Sequence, residues 1–424
     1  MLSLPRGTRD YALDEAMLLN NLASKAEAVF RRFGFSPLIT PVIETNEVLG
    51  AKTYGDELSK EVFGIANEDS SLRYDFTVPL SRYMAQNKDL SLPFKRYQIG
   101  PIWRKDEPQF MRLREFWQAD VDIVGSSEVG SDAEALAATA IALNEMGLSQ
   151  YTIKLNSRVL LNSILDMFKI EKSKSLQVLR LIDKLYKLGA DQTIASLEQL
   201  GIDSKTAESV ISFVSSGDLE SKKKALAASS PVAKAELEKV DVLMKLVKSY
   251  GPECGMELDL SLVRGFDYYT GFIWEFVVEK EGKRLPSLGG GGRYDNLIGL
   301  LSGKGKSLPA TGSSIGISRA FDLLYEKTGV KTYSKAFIAY VSDSQFGYAL
   351  DFANKLREEG INTDLNVSKR SLSKQLEYAA SLGIPFVVII GDEELKQGKV
   401  RVRDMSTGSE ELLDQESAIE KLKV

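Results

Sequence analysis

The 424-residue sequence contains no histidine and a single cysteine, Cys254. The absence of histidine excludes a Ser-His-Asp triad, a histidine general base and every histidine-ligated zinc site. One cysteine excludes an intrachain disulfide framework and a cysteine-cluster metal site, and it suits the reducing cytoplasm. Catalysis must therefore rest on arginine, lysine, carboxylates, tyrosine, backbone groups or a bound metal, and phosphate chemistry uses groups of these kinds.

Long hydrophobic runs are also absent, and no stretch approaches the length of a membrane span. The first residues, MLSLPRGTRDY, have neither the apolar stretch nor the cleavage pattern of a secretory signal. We therefore expect a cytoplasmic protein without a membrane segment. Hydrophobic residues make up 43% and charged residues 27% of the chain, which is typical of a globular protein of two or three domains at this length. The formal net charge of −5 argues against a generally basic nucleic-acid binder, but local basic surface can still attract a nucleic acid.

Two segments in the second half of the chain are the most informative. LVRGFDYYTGFIWEF, from Leu262 to Phe276, crowds an arginine, an aspartate and two tyrosines into one strand-like stretch. GGGGRYDNL, from Gly289 to Leu297, begins with a glycine run that lets backbone approach a ligand without interference from Cβ atoms. Each segment alone could be a strand with a polar stripe or a flexible hairpin. In this order they closely resemble the two signature segments of histidyl-tRNA synthetases, which shape the pocket for free histidine.

A third segment resembles motif 1 of class II aminoacyl-tRNA synthetases. Apolar residues recur at helical spacing from Asp10 to Phe33, and the proline-punctuated stretch GFSPLITPVIE, residues 34–44, reads as extended. Taken alone, the same residues could be an ordinary helix followed by an edge strand. In the synthetase family this motif builds the dimer interface, so the resemblance implies a homodimer.

Residues 103–118 resemble class II motif 2, two strands joined by a loop. By that resemblance Arg104 would hold the α-phosphate of ATP and the incoming carboxylate, and Arg112 would reach the outer phosphates, because guanidinium groups match phosphate oxygens. Asp106, which replaces the usual glutamate, would lie near the adenine, and Phe116 would stack on it. The tip, Phe110-Met111, interrupts a loop that is usually more polar. A charged hairpin with solvated arginines is the alternative interpretation.

Two further arginines complete the cationic set that the resemblance implies. Arg319, in the motif 3-like segment GSSIGISR of residues 312–319, would grip the γ-phosphate where a strand of small residues feeds a helix. Arg264 would face the α-phosphate opposite Arg104, so these two would be the catalytic pair that aligns the nucleophile and stabilises developing charge. An ion pair between Arg264 and Asp267 is the alternative.

Recognition of histidine requires acceptors for its ammonium group and partners for its two ring nitrogens. The residues that the resemblance assigns to this task are Asp75, Thr77, Gln118, Asp122, Arg264, Tyr268, Tyr269 and Tyr294, of which the last would close the pocket. Asp75 and Thr77 would bind the α-amino group, and Gln118 the amino and carboxylate groups. Asp122, which stands where many members carry the longer glutamate, would bracket the imidazole with Tyr269. An analogue without ring nitrogens would leave these buried groups unpaired, so discrimination should be strong.

The pattern of elements predicts an α+β protein. Residues 1–165 and 251–328 would form a class II core with a mostly antiparallel sheet flanked by helices. Residues 166–250, which are rich in Leu, Lys, Glu, Ala and Ser at helical spacing, would be a helical insertion. The βαβ alternation in residues 331–424 predicts a separate α/β domain that resembles the anticodon-binding domain of the family, although any small α/β module fits the pattern.

The resemblance also implies the substrates and partners: ATP, L-histidine and tRNA(His), with Mg²⁺ accompanying ATP. The sequence shows no evident metal cage, and Asp106 and Glu107 are the candidate contributors to a Mg²⁺ site. Basic residues of the last domain could meet tRNA phosphates, namely Lys369, Arg370, Lys374, Arg401 and Arg403.

Histidyl-tRNA synthetase is therefore the family that the sequence resembles over nearly its whole length, with formation of histidyl-adenylate and then histidyl-tRNA as the implied reactions. The rival is the synthetase-like regulatory subunit of ATP phosphoribosyltransferase, which binds histidine without charging tRNA. Those relatives typically lose intact catalytic motifs and the anticodon domain, whereas Arg104, Arg264, Arg319 and a C-terminal domain are all present here. A different class II synthetase would require the segment Leu262 to Phe276 to be a coincidence.

Overall fold

The computed structural model describes residues 2–50, 59–265, 267–303, 307–326, 330–368 and 370–423. The chain divides into two compact units, Met1–Arg9 with Asn21–Leu324, and Asp10–Asn20 with Tyr325–Val424. Within the described ranges, no helix is both long and apolar enough to cross a membrane. Lys369, one of the basic residues predicted to meet tRNA, lies outside the described residues.

A large sheet organises the first unit. The strands up to residue 324 are β1 (Ser36–Pro37), β2 (Ile43–Thr45), β3 (Ser70–Leu72), β4 (Phe94–Trp103), β5 (Glu115–Val124), β6 (Thr152–Ser157), β7 (Gly255–Leu258), β8 (Phe272–Val277), β9 (Glu279–Lys280), β10 (Lys283–Arg284), β11 (Gly289–Arg293) and β12 (Ala310–Gly316). Within the described part of the chain, the large sheet has the order β1-β4-β5-β12-β11-β8-β6-β7. The pairs β1–β4 and β6–β7 are parallel and the other neighbours are antiparallel. The predicted mostly antiparallel core is confirmed.

Helices flank this sheet. Those up to residue 324 are Asp14–Arg32, Asn46–Leu49, Thr77–Gln86, Val129–Met146, Arg158–Met167, Ser175–Asp183, Leu185–Leu188, Ala190–Gln199, Ser204–Ser215, Leu219–Ser229, Pro231–Tyr250, Leu297–Leu301 and Ile317–Leu324. The alanine-rich helix Val129–Met146 packs closely on β12, and its Thr139 hydroxyl lies 2.7 Å from the Ser313 hydroxyl. From Ser175 to Tyr250 the chain is a succession of helices, and the last of them begins with Pro231 behind the Ser230 cap and ends at the left-handed Gly251.

The motif 1-like segment is less regular than predicted. Residues 34–44 were expected to be extended, but β1 is short and pairs in parallel with β4 before the chain leaves the large sheet for β2. Pro37 and Pro41 explain the interruption, because proline has no N–H to donate to a strand ladder. Ile39, Val42 and Ile43 are left exposed on this stretch.

The second unit is built on a separate sheet. Its strands are β13 (Ala336–Tyr340), β14 (Thr363–Leu365), β15 (Phe386–Ile390), β16 (Lys399–Asp404) and β17 (Glu410–Asp414), in the order β14-β13-β15-β16-β17. The first three are parallel and the last two antiparallel. The helical segments of this unit are Asp343–Gln345, Phe346–Glu358, Leu372–Leu382, Asp392–Gln397 and Gln415–Lys423. Phe352 and Ala379 belong to separate apolar clusters that contain alternate residues of β13 and β15, so helices cover both faces. The predicted C-terminal α/β fold is confirmed.

Candidate active site

A cleft of about 690 Å³ lies over the middle strands of the large sheet. Alternate residues of β5 face the same side of the sheet, which places Gln118, Asp120 and Asp122 along its floor. Most of the predicted site residues line this cleft: Asp75, Thr77, Arg104, Phe116, Gln118, Asp122, Arg264, Tyr268, Tyr269, Tyr294 and Arg319. The other two, Asp106 and Arg112, line a pocket of about 280 Å³ that shares Phe116 and Arg319 with the cleft.

Glycines in β11 and β12 make room for the functional side chains. A Cβ atom on Gly290 would overlap the Arg264 guanidinium, and one on Gly312 would overlap the Asp122 carboxylate. The sequence alone suggested that the glycine run admits a ligand. At these two positions the freed space is occupied by other side chains of the site, so the glycines determine where Arg264 and Asp122 can lie.

At one end of the floor, Asp122 is held between a tyrosine and an arginine. The Tyr294 hydroxyl donates to Asp122 Oδ1, and Arg96 Nη2 lies 2.6 Å from Asp122 Oδ2. Arg96 is fully buried on β4, directly opposite Asp122 in the strand register, and it also donates to the Phe76 carbonyl at 3.0 Å. Burial raises the pKa of Asp122, whereas Arg96 acts to lower it. Burial and the neighbouring Asp122 carboxylate raise the pKa of Tyr294 well above its usual value, so this phenol stays a donor.

Next along the floor, Asp120 and Ser314 orient the Gln118 amide. Gln118 Nε2 donates to Asp120 Oδ1 at 2.9 Å and to the Ser314 hydroxyl at 2.7 Å. The amide oxygen consequently faces Arg104, whose Nη2 lies 3.4 Å away. Burial raises the pKa of Asp120 to about 7, and repulsion from Asp122 adds to the rise while Arg96 opposes it.

Asp75 and Thr77 stand at the start of the helix Thr77–Gln86. Asp75 is buried, and its Oδ1 accepts a hydrogen bond from the Val78 backbone N–H at 2.9 Å. This contact fixes the carboxylate at the edge of the cleft, because a capping aspartate is held by the first backbone donors of its helix. Both residues line the cleft as predicted.

Arg104 lies between two aromatic rings. Its guanidinium carbon is 4.4 Å from the centre of the Tyr74 ring and 5.3 Å from that of Phe116, and its Nε donates to the Tyr74 carbonyl at 3.2 Å. Stacking of this kind fixes a planar guanidinium while leaving other N–H groups directed at a ligand. Phe116, whose stacking on adenine stays a prediction, packs against Arg104 in the structure.

Arg319 is held by neutral acceptors. Its Nε donates to the Met111 carbonyl at 3.1 Å and its Nη1 to the Ser287 carbonyl at 2.6 Å. Burial and repulsion from Arg104 and Arg112 lower its pKa to about 10. Arg104 and Arg112 therefore both lie close enough to repel Arg319, and an anion placed among these guanidinium groups would relieve that repulsion.

Arg264 has an unusual backbone conformation and a fixed side chain. Its φ is +63°, a region that residues other than glycine rarely adopt. Its Nη1 donates to the Trp274 carbonyl at 2.7 Å. Asp267, the alternative partner that the sequence suggested, is instead 2.7 Å from Arg180 of the helix Ser175–Asp183. That ion pair ties the signature loop to the helical segment.

Three tyrosines form one wall of the cleft. The ring centres of Tyr268 and Tyr269 are 4.9 Å apart, and those of Tyr268 and Tyr294 are 6.0 Å apart in an edge-to-face arrangement. Burial raises the pKa of Tyr269, which therefore remains neutral. The wall offers flat apolar surface and hydroxyl groups, a combination that suits a polar aromatic ring such as imidazole.

The acidic residues considered for Mg²⁺ differ in their surroundings. Glu107 is highly exposed and pairs with Arg6. Asp106 lies 3.6 Å from Arg112 and acts on Glu61, whose pKa is raised by burial and by the Asp106 charge. Across the described ranges, no cluster of three or more acidic or cysteine residues could hold a metal ion. A Mg²⁺ ion that is bound mainly through nucleotide phosphates needs only one or two carboxylates. Asp106 and Glu107 both stay predictions for that role, and Asp106 is the one that lines the pocket shared with Arg319.

Sequence reasoning did not assign roles to Asp120, Ser314 or Arg96. Asp120 could have been found, because a strand that presents residues 118 and 122 to a ligand must also present residue 120. Ser314 and Arg96 become visible only with the strand register, since β12 and β4 place them opposite Asp120 and Asp122.

Comparison with known proteins identifies the family. Residues 7–320 match the family model described as "Histidyl-tRNA synthetase", and residues 335–424 match "Anticodon binding domain". A histidine–tRNA ligase of Clostridium tetani is 35% identical over 96% of this chain and 95% of its own length, and one of Nanoarchaeum equitans is 37% identical over 96% and 95%.

Solved structures agree with these matches. A crystal structure of histidyl-tRNA synthetase from Nostoc sp. PCC 7120 covers 100% of this chain and 99% of its own, with a TM-score of 0.85 and 27% identity. A Bacillus halodurans protein titled as an ATP phosphoribosyltransferase regulatory subunit/histidyl-tRNA synthetase has a TM-score of 0.77 at 20% identity, which shows a shared fold alone. On the full-length matches to its catalytic and anticodon-binding parts, the chain belongs to the histidyl-tRNA synthetase family.

Proposed function

We propose that this protein joins L-histidine to ATP to form histidyl-adenylate and then transfers the histidyl group to the 3′ end of tRNA(His). The observation that carries the proposal is the separation of charge within one cleft. Arg104 and Arg319 lie near each other on one side, whereas Asp120 and Asp122 share the floor with the Tyr294 hydroxyl. A cleft with these two ends suits a substrate pair that is anionic at one end and carries an ammonium and an imidazole at the other.

The amino acid would lie along β5. Its ring would meet Asp122, Tyr269 and Tyr294, and its ammonium would face Asp75 and Thr77. Gln118, whose amide orientation is fixed by two donated hydrogen bonds, would present its oxygen to the ammonium group. Each polar group of free histidine then has a partner of matching hydrogen-bond type.

The first reaction needs no general base, which suits a chain without histidine. The nucleophile is a carboxylate that is already ionised: its oxygen forms a bond to the α-phosphorus, the bond to the bridging oxygen breaks, and pyrophosphate leaves. Arg104 and Arg264 would hold the carboxylate and α-phosphate together against their repulsion, and Arg319 and Arg112 would hold the outer phosphates. Mg²⁺ bound to the phosphates, with Asp106 as a contributor, would neutralise further charge.

The second unit would bind the anticodon of the tRNA. Ligands of α/β sheets bind beyond the carboxyl ends of parallel strands, and Asn366 lies there, directly after β14. It is buried, and its Nδ2 atom has no hydrogen-bond partner among the residues that the structure describes. Val367 beside it is exposed, and Arg370 stacks on Tyr378 at 5.0 Å. This edge therefore offers a donor, apolar surface and positive charge to unpaired bases.

A homodimer in the cytoplasm completes the proposal. The exposed apolar side chains of Ile39, Val42 and Ile43 lie on the segment that resembles the dimer-forming motif of the family. Several exposed apolar residues that lie close together often mark a surface that contacts another protein.

Histidine-dependent exchange of pyrophosphate into ATP by the purified protein tests the proposed activation step, with the other amino acids as controls. We expect exchange with histidine alone, and aminoacylation of tRNA(His) transcripts would then test the transfer step. Histidine binding without exchange would contradict the proposal and favour the regulatory-subunit function. Exchange with another amino acid would show that the assignment of the pocket is wrong.

A further inference from the structure

We propose that Asp120 is a specificity-determining residue that provides the counter-charge for the α-ammonium group of histidine. The inference rests on the proposed function, since it concerns how the same cleft selects its amino acid. None of the motif assignments gives Asp120 a role, although it lines the cleft.

The position of Asp120 is set by the alternation of β5. Residues two apart on a strand are separated by about 7 Å, so Asp120 lies midway between Gln118, which contacts Arg104, and Asp122, which contacts Tyr294. A histidine whose carboxylate lies at the arginine end and whose ring lies at Asp122 has its Cα, and therefore its ammonium group, above Asp120.

Asp120 is a buried carboxylate that two arginines influence from a distance. Arg96 acts on both Asp120 and Asp122, which repel each other, and the buried Arg73 also acts on Asp120, but among the described residues Asp120 itself forms no ion pair. Its hydrogen-bonding partners, Gln118 and Ser314, are neutral. A buried carboxylate in such surroundings is costly unless a proton or a cation accompanies it. The ligand ammonium group is a cation of the right size in the right place.

Tyr269 links Asp120 to the residues already predicted to bind the ammonium group. Asp75, Asp120 and Tyr269 all line the cleft, and both carboxylates raise the pKa of the Tyr269 phenol, so the two aspartates approach the same region from different elements. Asp75 has one oxygen committed to the Val78 backbone N–H. Two aspartates on opposite sides would hold an ammonium group with three donors more fully than either could alone.

A purely structural role for Asp120 predicts a different outcome. If Asp120 served only to orient the Gln118 amide, then Ser314, the other acceptor for the same Nε2 atom, would matter to a similar degree. Because Gln118 is itself proposed to face the ammonium group, loss of either residue would then lower the preference for histidine over an analogue without that group to a similar degree.

The experiment compares two ligands on three proteins by isothermal titration calorimetry. The ligands are histidine and 3-(imidazol-4-yl)propanoate, which keeps the ring and carboxylate but lacks the ammonium group. The proteins are the wild type, Asp120→Asn and Ser314→Ala. Because charge-assisted hydrogen bonds contribute roughly 1.5–3 kcal/mol, we expect Asp120→Asn to weaken histidine by about 10- to 100-fold and the analogue by less than about 3-fold. Ser314→Ala, which keeps the Asp120 charge, should change the ratio of the two affinities by less than about 3-fold. A ratio changed as much as in Asp120→Asn would overturn the inference.

Equal loss of both ligands in Asp120→Asn would overturn the inference, as would unchanged affinity for histidine. Retained binding of the analogue shows at the same time that the variant pocket is folded. If Asp120→Asn does not fold, Asp120→Ser, which also removes the charge, carries the same comparison. A wild-type protein that binds no histidine would count against the proposed function itself. A wild type that binds histidine, together with an Asp120 variant that loses both ligands equally, would count against this inference alone.

Discussion

The arginines of the cleft and those of the C-terminal sheet have different partners. Arg319 and Arg264 donate to backbone carbonyls, whereas Arg401 and Arg403 lie 2.8 Å and 3.1 Å from the carboxylates of Glu394 and Glu410. A carbonyl fixes a guanidinium without cancelling its charge, and a carboxylate neutralises it. Guanidinium groups in the cleft therefore remain available to an anionic ligand, while the role predicted for Arg401 and Arg403 in binding tRNA phosphates would require ion pairs to open.

The largest difference between the two regions should appear when one arginine from each is removed. We expect Arg104→Ala to lower histidine-dependent pyrophosphate exchange by about 10³-fold, because the preorganised charge that we propose for the reacting phosphate is lost. Arg401→Ala should leave exchange within about 2-fold and slightly lower the melting temperature. The measurements are the pyrophosphate exchange rate and the melting temperature of each variant. A comparable loss of exchange in the two variants would show that carboxylate pairing does not distinguish the regions.

Glycines of the two regions should also differ in their tolerance of a methyl group. Gly312→Ala would push the Asp122 carboxylate aside, whereas a Cβ on Gly347, in the helix Phe346–Glu358, meets nothing within 4 Å. We expect Gly312→Ala to raise the KM for histidine by about 10- to 100-fold and to change the KM for ATP little, because the buried carboxylate proposed to contact the imidazole moves. Gly347→Ala should leave both constants unchanged. An equal rise in the two KM values for Gly312→Ala would mean that the whole site had shifted.

The pH dependence of stability should have opposite signs in the two regions. Burial raises the pKa of Asp120 from 3.8 to about 7, so its contribution to stability is present at acid pH and is lost as pH rises. Asp120→Asn should thus gain stability relative to the wild type by up to roughly 1.4 kcal/mol for each pH unit between about 4 and 7. Hydrogen bonds from the Ser417 N–H and hydroxyl lower the pKa of Asp414. The stability from Asp414 is therefore present at neutral pH and is lost as pH falls, so Asp414→Asn should be less stable at neutral pH and should match the wild type in acid.

Calorimetric unfolding of the ligand-free proteins at several pH values checks both signs. If the stability of Asp120→Asn and that of the wild type change with pH in parallel, the aspartate is ionised throughout. Burial would then not determine its pKa.

The smallest effect is expected for an exposed lysine of the second unit. Lys374 is exposed and was predicted to meet a tRNA phosphate. Lys374→Ala should weaken tRNA binding a few-fold and reduce the slope of log affinity against log salt by roughly 0.7 to 1, without changing pyrophosphate exchange. Salt titrations of tRNA binding provide the measurement. An unchanged slope would exclude a phosphate contact at this position.

The fold was accessible from the sequence because its signals are local. The helical spacing in residues 166–250 and the βαβ alternation in residues 331–424 each reflect residues close together in the chain, and the observed helices from Ser175 to Tyr250 and the parallel strands β13, β14 and β15 follow these patterns. Residues 34–44 were harder to predict, because two prolines in an apolar segment are compatible with several extended paths.

The site was only partly accessible for the same reason. Resemblance to a family supplied residues that form motifs, and the structure brings these residues together in the cleft and its adjoining pocket. Arg96 has no such signal, since an arginine on a strand gives no sign of being buried until the register places it opposite Asp122. The partner of Asp267 is likewise a residue of the helical segment, distant in sequence and visible only in three dimensions.

The alternation of β5 also limits how this enzyme family can change over time. Inserting or deleting one residue in β5 would turn Asp120 and Asp122 away from the cleft and bring Ala119 and Val121 into it, because side chains on a strand alternate between faces. Exchange of one acid for another keeps this alternation, whereas a one-residue change in strand length does not. The site is therefore expected to tolerate an exchange of aspartate for glutamate in β5 better than any insertion or deletion there.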